Sequence, residues 1–209
     1  MVKIILVRHG FSQFNNEKRF TGQIDVPLDE VGFIQAKSTS EYILKNFKID
    51  CIYSSDLSRA VNTIKPVSDA LNLSINQLQE LRELHLGNWE GELMKILKER
   101  HGNRYRDYIT YPEDEPLHGG ERYVDLMERA KNVIEYIIAK NEGKTVLISS
   151  HGGFIRALLC ILYEKKPCEL KNVTPVPNAS VSVINFNNGK YEFESVGYDD
   201  HLELKMNLM

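Results

Sequence analysis

The chain has 209 residues, of which 42% are hydrophobic and 26% charged, a composition typical of a soluble globular protein with a substantial core. Its formal net charge of -3 provides no overall attraction to nucleic acid or to an anionic membrane, so any anion site must be local. Three cysteines without a C-x-x-C pair, and no apolar segment long enough for a signal peptide or membrane span, predict a reduced protein of the cytoplasm.

The first half of the chain alternates between short apolar strands and longer helices. In chain order, the predicted elements are a strand at Val2–Arg8, a helix from the N-cap Asp29 to Phe47, a strand at Ile49–Ser55, and a helix from a cap at Ser55 or Asp56 to about Leu71. Strands that are apolar along nearly their whole length are typical of a parallel sheet covered on both faces.

The alternation resumes after a less regular segment, 83–121, which contains the single Trp and several tyrosines. The later predicted elements are a helix with an apolar stripe from Val124 to Ile138, a strand at Lys144–Ser150, an apolar helix after Gly153, and a β-hairpin around Asn187-Asn188-Gly189. We therefore predict an α/β fold with three layers, α/β/α, a mostly parallel central sheet and one antiparallel strand. We expect one domain over residues 1–209, with 83–121 as a lid-like insertion of helices and loops.

Two predicted strands end in a basic or proton-carrying side chain that is followed by glycine. One ends in "RHG" at residues 8–10, and the other ends in "SSHGG" at residues 149–153. Arg59 lies in the first turn of the helix after the remaining strand. Because ligands of open α/β sheets bind at the carboxyl ends of the strands, we expect Arg59 and the two motifs to surround one point. Their guanidinium and imidazole groups, together with helix N-termini, suit a tetrahedral phosphoryl group.

A histidine after a strand is more often structural than catalytic, so neither motif alone establishes a site. The two His-Gly pairs and two arginines converge on the same edge of the predicted sheet, which favours a functional site over an incidental one. The glycines allow the backbone to approach a ligand closely.

A series of motifs resembles those of the histidine phosphatase superfamily. They are, in order, "RHGFSQFN", "FTGQIDVPLDEVGFIQA", "YSSDLSRAVNT", "LRELHLGNWEG", "HGGERY" and "ISSHGGFIRALL". That family includes cofactor-dependent phosphoglycerate mutases, fructose-2,6-bisphosphatase and bacterial phosphatases such as α-ribazole phosphatase. The resemblance runs from Val2 to about Val183 and implies a phosphoglycerate mutase-like fold. It points to the branch of bacterial broad-specificity and α-ribazole phosphatases.

The resemblance implies a role for each matching residue. His9 would be the nucleophile that takes the phosphoryl group, and Glu83 the general acid that protonates the leaving oxygen and then activates water. The phosphate-binding set would be Arg8, Asn15, Thr21, Gly22, Arg59, His151 and Gly152. This scheme requires no metal, and the six histidines show no metal-ligand spacing such as H-E-x-x-H. No other cofactor is expected, except 2,3-bisphosphoglycerate if the protein is a mutase.

The chemistry of these residue types supports the same roles. An imidazole attacks phosphorus only through an unprotonated nitrogen, and cations at Arg8, Arg59 and His151 would lower the pKa of the His9 imidazole. The same cations would stabilise the charge that spreads over the phosphoryl oxygens during transfer. Because an alkoxide is a poor leaving group, an acid such as Glu83 is needed within hydrogen-bond reach.

The motifs "LRELHLGNWEG" and "GGERY" are similar to the phosphatases of the family and lack the E-R-R-Y-G pattern typical of glycolytic mutases. We therefore predict a metal-independent phosphomonoesterase that acts on a small phosphorylated metabolite through a phosphohistidine. The alternatives are a cofactor-dependent phosphoglycerate mutase and a non-catalytic member that binds phosphorylated ligands. We expect neither nucleic acid nor a membrane as a partner, and a homodimer is possible.

Two features bear on substrate choice. Phe11 stands where many members of the family have a polar residue, so it would make one side of the pocket more apolar. A set of aromatic and imidazole side chains either shapes the mouth of the pocket or packs the insertion onto the sheet; its members are His85, Trp89, Tyr105, Tyr108 and Tyr111.

Overall fold

The computed structural model describes residues 1–116 and 119–205, and within them one sheet of six strands lies between two layers of helices. The strands are β1 (Val2–Arg8), β2 (Cys51–Ser54), β3 (Ile75–Gln77), β4 (Thr145–Ser150), β5 (Val181–Asn187) and β6 (Lys190–Tyr198). The α-helices are α1 (Gln13–Asn16), α2 (Glu30–Asn46), α3 (Ser58–Leu71), α4 (Met94–His101), α5 (Asp107–Thr110), α6 (Tyr123–Lys140) and α7 (Gly152–Leu162). Short 3-10 helices lie at Gln79–Leu81, Gly87–Trp89, Gly102–Arg106 and Pro167–Asn172.

The strand order is β3-β2-β4-β1-β5-β6. Strands β1 to β4 pair in parallel, whereas β5 runs antiparallel to both of its neighbours. The predicted fold class, with one reversed strand in a mostly parallel sheet, is therefore confirmed. Strand β3 was not predicted, because its three residues are too few and too exposed to give an apolar run.

Both faces of the sheet are buried, which explains why its central strands are apolar at almost every position. On one face, Ile5 and Val7 of β1 pack with side chains of α2 and α3. On the other face, Ile4 and Leu6 pack with side chains of α6 and α7. Successive side chains of a strand point to opposite faces, so a strand between two helical layers needs apolar residues at both odd and even positions.

The N-termini of two helices differ in how they are capped. Asp29 caps α2 as predicted, since its carboxylate accepts a hydrogen bond from the backbone N–H of Gly32 at 2.8 Å. The predicted cap of α3 at Ser55 or Asp56 is wrong, because this helix begins after Leu57 without a side-chain cap from its own N-cap residue.

The distant residue Asp25 supplies the missing acceptor for α3, through a hydrogen bond of 2.8 Å from the backbone N–H of Ser58. The carboxylate of Asp56 is engaged elsewhere, in a bidentate ion pair with the guanidinium of Arg82. These contacts connect the loop before α3 to the segment that contains Asp25 and to the segment that leads to Glu83.

The end of the chain forms the predicted hairpin and then returns to α2. Asn188 and Gly189 both have positive φ, 49° and 78°, as a two-residue type I′ turn requires. Beyond β6, the backbone carbonyl of Leu204 accepts a hydrogen bond from the side chain of Gln35 in α2 at 3.1 Å. The three cysteines are free thiols. Among the residues described, none of the helices combines the length and hydrophobicity needed to cross a bilayer.

Candidate active site

A cavity of about 270 Å³ opens at the carboxyl ends of β1 and β4. Its polar and glycine lining consists of Arg8, His9, Asn15, Arg19, Thr21, Gly22, Arg59, Glu83, Tyr108, Tyr123, Gly152, Gly153 and Arg156. Its apolar lining consists of Phe20, Leu84, Leu86, Met94, Ile109 and Pro175. The parallel register explains the convergence, because Arg8 pairs with Ser150 and the residues after both strands therefore leave the sheet at the same level.

His9 is held in a defined orientation within this cavity. Its Nδ1 lies 2.7 Å from the carbonyl oxygen of Gly10, which can only accept a hydrogen bond. In the neutral ring the proton is therefore on Nδ1, and Nε2 carries the lone pair. The backbone carbonyl of His9 accepts hydrogen bonds from the side chain of Asn178 and the N–H of Ala179, at 3.0 and 3.1 Å. These bonds leave Nε2 as the nucleophilic atom and fix the backbone behind it.

The pKa of His9 lies well below its ordinary value of 6.5. Burial is the largest cause, and the charges of Arg59 and Arg8 lower the pKa further. The predicted direction is thus observed, but burial contributes more than the cations that the sequence suggested. His151 was expected to be one of those cations. Its own pKa is also well below 6.5, because of burial and Arg59, so at neutral pH it is an uncharged neighbour.

The two buried histidines should make stability depend on pH. Well above pH 6.5 they are neutral in both the folded and the unfolded chain, so they add no pH dependence there. Below that value the unfolded chain binds protons that the folded chain does not, so the free energy of unfolding falls by about 1.4 kcal/mol per pH unit for each such proton. Urea unfolding between pH 7.5 and 5.5 should show this loss, and His151→Asn should make it shallower. An equal pH dependence of the free energy of unfolding in His151→Asn and in the wild type would contradict the lowered pKa of His151. His85→Asn, at a half-exposed histidine, is the control.

Arg8 and Arg59 present guanidinium groups on adjoining sides of the cavity. Both are buried, and each donates part of its hydrogen bonds to backbone carbonyls: Arg8 to Val176 at 2.7 Å, and Arg59 to Gly22 and Ile24 at 2.8 Å. Burial lowers the pKa of each to about 10, against the opposing charge of Glu83, so both remain cationic at neutral pH. The Nε of each has no protein acceptor among the described residues and is a donor available to an anion.

His151 lies beside His9, at the carboxyl end of β4. The centroids of the two rings are 5.1 Å apart, and their planes are inclined by 58°. His151 is completely buried, and neither of its ring nitrogens has a partner within the described part of the chain. Buried polar groups in proteins normally find a hydrogen-bond partner, so this ring, like the arginine Nε groups, has bonding capacity to offer an oxyanion. It is not among the residues that line the cavity, although the next residue, Gly152, is.

Glu83 is anchored at the N-terminus of α7. Its carboxylate accepts hydrogen bonds from the backbone N–H groups of Gly153 at 2.9 Å, Phe154 at 3.0 Å and Leu84 at 2.8 Å. A side chain at position 153 would collide with this arrangement, since a Cβ there would lie 2.4 Å from Oε1 of Glu83. The glycine of the "HGG" motif thus makes room for the acid, which the sequence alone did not explain.

The remaining predicted binding residues also border the cavity. The Oδ1 atom of Asn15 accepts hydrogen bonds from the backbone and the hydroxyl of Ser12, so its amide NH₂ is the group free to donate to a ligand. Thr21 and Gly22 form part of the wall. Gly152 lets the guanidinium of Arg8 lie against α7, because a Cβ at this position would be 3.0 Å from the Cζ of Arg8.

Two predictions about the apolar part of the site differ from the structure, the first entirely and the second in part. Phe11 is buried and does not line the cavity, so its apolar ring does not shape the pocket. Among the side chains proposed for the mouth, only Tyr108 is a wall residue of this cavity. Trp89 and Tyr105 instead pack around Phe20, with ring centroids 5.8 Å from it. The packing interpretation is therefore correct for these two rings.

Arg129 on α6 holds the segment that carries Glu83, and sequence reasoning missed it. Its guanidinium donates to the backbone carbonyls of Glu80 at 2.8 Å, Arg82 at 2.9 Å and Glu83 at 3.3 Å. It also forms an ion pair with Glu121 at 2.8 Å. The "HGGERY" motif contains Glu121, but nothing in the local pattern indicated that its partner lies on the next helix. We name Arg129 and Glu121 the acid-segment clamp.

Removing the acid-segment clamp should reduce turnover by misplacing Glu83. For Arg129→Met we expect kcat to fall roughly ten- to hundred-fold, because positioning errors of a reacting group are costly, with a smaller change in KM. Steady-state kinetics on an alkyl phosphate measure this. Arg122→Met is a matched control, because Arg122 pairs only with the neighbouring exposed Asp125 in the described structure. Equal kinetic losses in the two variants would show that the clamp has no special role.

No group of three histidine, cysteine, aspartate or glutamate side chains in the described ranges is arranged to hold a metal ion. The positive charge at the cavity comes from arginine side chains, supplemented by the N-terminus of α7. One small cavity thus contains a neutral imidazole with an unprotonated nitrogen, cationic groups that can donate hydrogen bonds to an oxyanion, and a carboxylate. This set can transfer a phosphoryl group to and from a nitrogen atom.

Comparison with known proteins agrees with this chemistry. The family model described as "Histidine phosphatase superfamily (branch 1)" matches residues 4–199. The chain is 34% identical to the uncharacterized phosphatase PhoE of Bacillus subtilis over 202 residues, which covers 97% of both chains. It is 30% identical to a metal-independent phosphoserine phosphatase of Arabidopsis thaliana over 204 residues, covering 97% of this chain and 84% of the relative.

A solved structure shows the same architecture over almost the entire chain. The structure of YhfR from Bacillus stearothermophilus superposes with a TM-score of 0.90 at 28% identity, covering 97% of this chain and 100% of that protein. The fold, the convergence of "RHG" and "SSHGG" at one cavity, and the match over residues 4–199 lead to one assignment. The chain belongs to the histidine phosphatase superfamily.

Proposed function

We propose that this protein is a metal-independent phosphomonoesterase that hydrolyses a small phosphorylated metabolite through a phosphohistidine at His9. The observation that carries the proposal is the state of His9: a buried, neutral ring whose Nδ1 is bonded to a carbonyl, so that Nε2 offers its lone pair beside two cationic guanidinium groups. A protein that only binds phosphate has no need of such a nucleophile, nor of a carboxylate anchored next to it.

In the first step, the lone pair of His9 Nε2 forms a bond to phosphorus while the bond between phosphorus and the ester oxygen breaks. Arg8 and Arg59 stabilise the charge on the phosphoryl oxygens, and the ring N–H of His151, beside His9, is the proposed further donor to them. Glu83 gives a proton to the departing oxygen. The hydrogen bond from Nδ1 to the Gly10 carbonyl stabilises the positive charge that the phosphorylated imidazole acquires.

In the second step, water attacks phosphorus in line with the phosphorus–nitrogen bond. The Glu83 carboxylate removes a proton from this water, the bond to Nε2 breaks, and the electron pair returns to the ring. Inorganic phosphate leaves, and both His9 and Glu83 regain their starting protonation states. One displacement that is difficult in water is thus replaced by two easier ones.

The size of the cavity supports a small substrate. A volume of about 270 Å³ lies near the lower end of the range of small-molecule sites, which suits a metabolite and not an extended polymer. The name of the Arabidopsis relative, metal-independent phosphoserine phosphatase, makes phosphoserine a candidate substrate. Free thiols at all three cysteines support a location in the reducing cytoplasm.

Phosphate release from p-nitrophenyl phosphate, phosphoserine and 3-phosphoglycerate tests the proposal, with each assay repeated in a metal chelator. We expect hydrolysis that the chelator leaves unchanged and that 2,3-bisphosphoglycerate does not stimulate. The proposal fails if 3-phosphoglycerate is isomerised in a bisphosphoglycerate-dependent way with little phosphate release, which would identify a mutase. It also fails if none of the esters yields phosphate.

A further inference from the structure

The cavity contains more positive charge than one phosphoryl group requires. Arg8 and Arg59 lie beside His9 and serve the phosphoryl group in the mechanism above. The cavity is also lined by Arg19 and Arg156. Arg19 already forms an ion pair with Glu17 at 2.6 Å, and it donates to the Gly91 carbonyl at 2.8 Å. Arg156 has no such partner.

The guanidinium of Arg156 is held in place but incompletely bonded. It donates one hydrogen bond, from Nη2 to the backbone carbonyl of Lys171 at 3.0 Å. Its Nε is buried without an acceptor, and no carboxylate in the described part of the chain lies within 4.0 Å of the guanidinium. A cation at the wall of a partly apolar cavity, with its fork of N–H groups largely unused, is suited to an anionic ligand.

Arg156 lies on the same helix as the backbone N–H of Gly153, which holds Glu83. Arg156 follows Gly152 and Gly153 on α7 by one turn, so the three residues share one face of the helix. The N–H of Gly153 holds Glu83, the acid that protonates the departing oxygen. Because His9, Glu83 and Arg156 all line this cavity, a leaving group that receives its proton from Glu83 lies in the same space as the guanidinium of Arg156.

We propose that Arg156 binds a carboxylate on the leaving group, and that the preferred substrates are small phosphomonoesters of hydroxy acids or hydroxy amino acids. This inference rests on the phosphatase activity proposed above and specifies its substrate class. A planar carboxylate matches the forked donors of arginine. The apolar residues of the wall, such as Leu84 and Met94, would contact the short carbon chain between the two anionic groups.

Phosphoserine and phosphoethanolamine provide the test, because they differ only in the carboxylate. For the wild-type protein we expect kcat/KM to favour phosphoserine roughly 30- to 100-fold, the effect of a hydrogen-bonded charge pair. Arg156→Met should lose most of this preference, with kcat/KM for phosphoethanolamine and p-nitrophenyl phosphate changed less than about threefold. Arg156→Lys, which keeps the charge but not the fork, should retain part of the preference.

Arg19→Met is the matched comparison, since it removes a cavity cation that is already paired. It should keep the ratio of the two kcat/KM values near the wild-type ratio. The inference is overturned if the wild type does not distinguish the two esters, if Arg156→Met loses activity equally on both, or if Arg19→Met alone removes the preference. Hydrolysis of p-nitrophenyl phosphate without any carboxylate preference would refute the inference and leave the phosphatase proposal standing, whereas inactivity on every ester would refute both.

Discussion

Replacing His9 with alanine is expected to lower kcat at least about ten-thousand-fold, because the attacking atom is removed and direct hydrolysis by water lacks an activated nucleophile. The guanidinium groups of Arg8 and Arg59 stay in place, since their hydrogen bonds go to backbone carbonyls and not to the imidazole. The variant should therefore still bind inorganic phosphate. Steady-state kinetics on p-nitrophenyl phosphate and a phosphate-binding titration measure the two properties separately.

This result distinguishes a nucleophile from a binding residue. If His9→Ala lost phosphate binding in parallel with activity, the imidazole would act mainly in binding. If turnover remained within about tenfold of the wild type, another residue would be the nucleophile, and the mechanism would have to be redrawn around it. Thermal unfolding of the variant provides the control for folding.

Replacing Glu83 with glutamine should have the second largest effect, and its size should depend on the leaving group. We expect kcat for an alkyl phosphate such as phosphoserine to fall about 100- to 10,000-fold, because the alkoxide must then leave without a proton. The loss in the phosphorylation step should be much smaller for p-nitrophenyl phosphate, whose leaving group needs no acid. Measuring the burst of nitrophenol in the first turnover isolates that step from the later attack of water.

Glu90→Gln is the matched control for this experiment. Glu90 also accepts backbone hydrogen bonds in the same region, from the N–H groups of Gln23 and Leu86 at 2.9 Å, but it does not line the cavity. Its substitution should change stability more than leaving-group dependence. Identical losses on alkyl and aryl esters in Glu83→Gln would show that Glu83 supports the structure of α7 and does not donate the proton.

The sequence predicts the site well wherever a strand determines position. Once β1 and β4 are identified as parallel and buried, the residues after them must emerge at the same edge, and this brings His9 close to His151. Arg59 follows by the same reasoning from the end of β2. Their chemical types then suffice to suggest a phosphoryl group, because two arginines and two imidazoles at one point have few other uses. The closer resemblance to α-ribazole phosphatases stays a prediction.

Features that depend on contacts between distant segments could not be predicted from local sequence patterns. In the acid-segment clamp, Arg129 donates to backbone carbonyls that are 46 to 49 positions away in the sequence. The acceptor for the N-terminus of α3 is Asp25, 33 positions before Ser58. The neutral state of His151 is a further example, because its pKa is lowered mainly by burial, and burial is a property of the folded chain. A local pattern can identify a charged side chain, but it does not specify what surrounds it.

In the proposed mechanism, the phosphoryl group is transferred to His9 Nε2 before it is transferred to water. Rapid denaturation in alkali during turnover of phosphoserine or p-nitrophenyl phosphate, followed by mass spectrometry of proteolytic fragments, tests it most directly, since phosphohistidine survives base and is lost in acid. We expect one acid-labile phosphoryl group on the fragment that contains His9, absent from His9→Ala and accumulating in Glu83→Gln with the aryl ester. Turnover without any labelled fragment, or with the label on His151, would contradict the account.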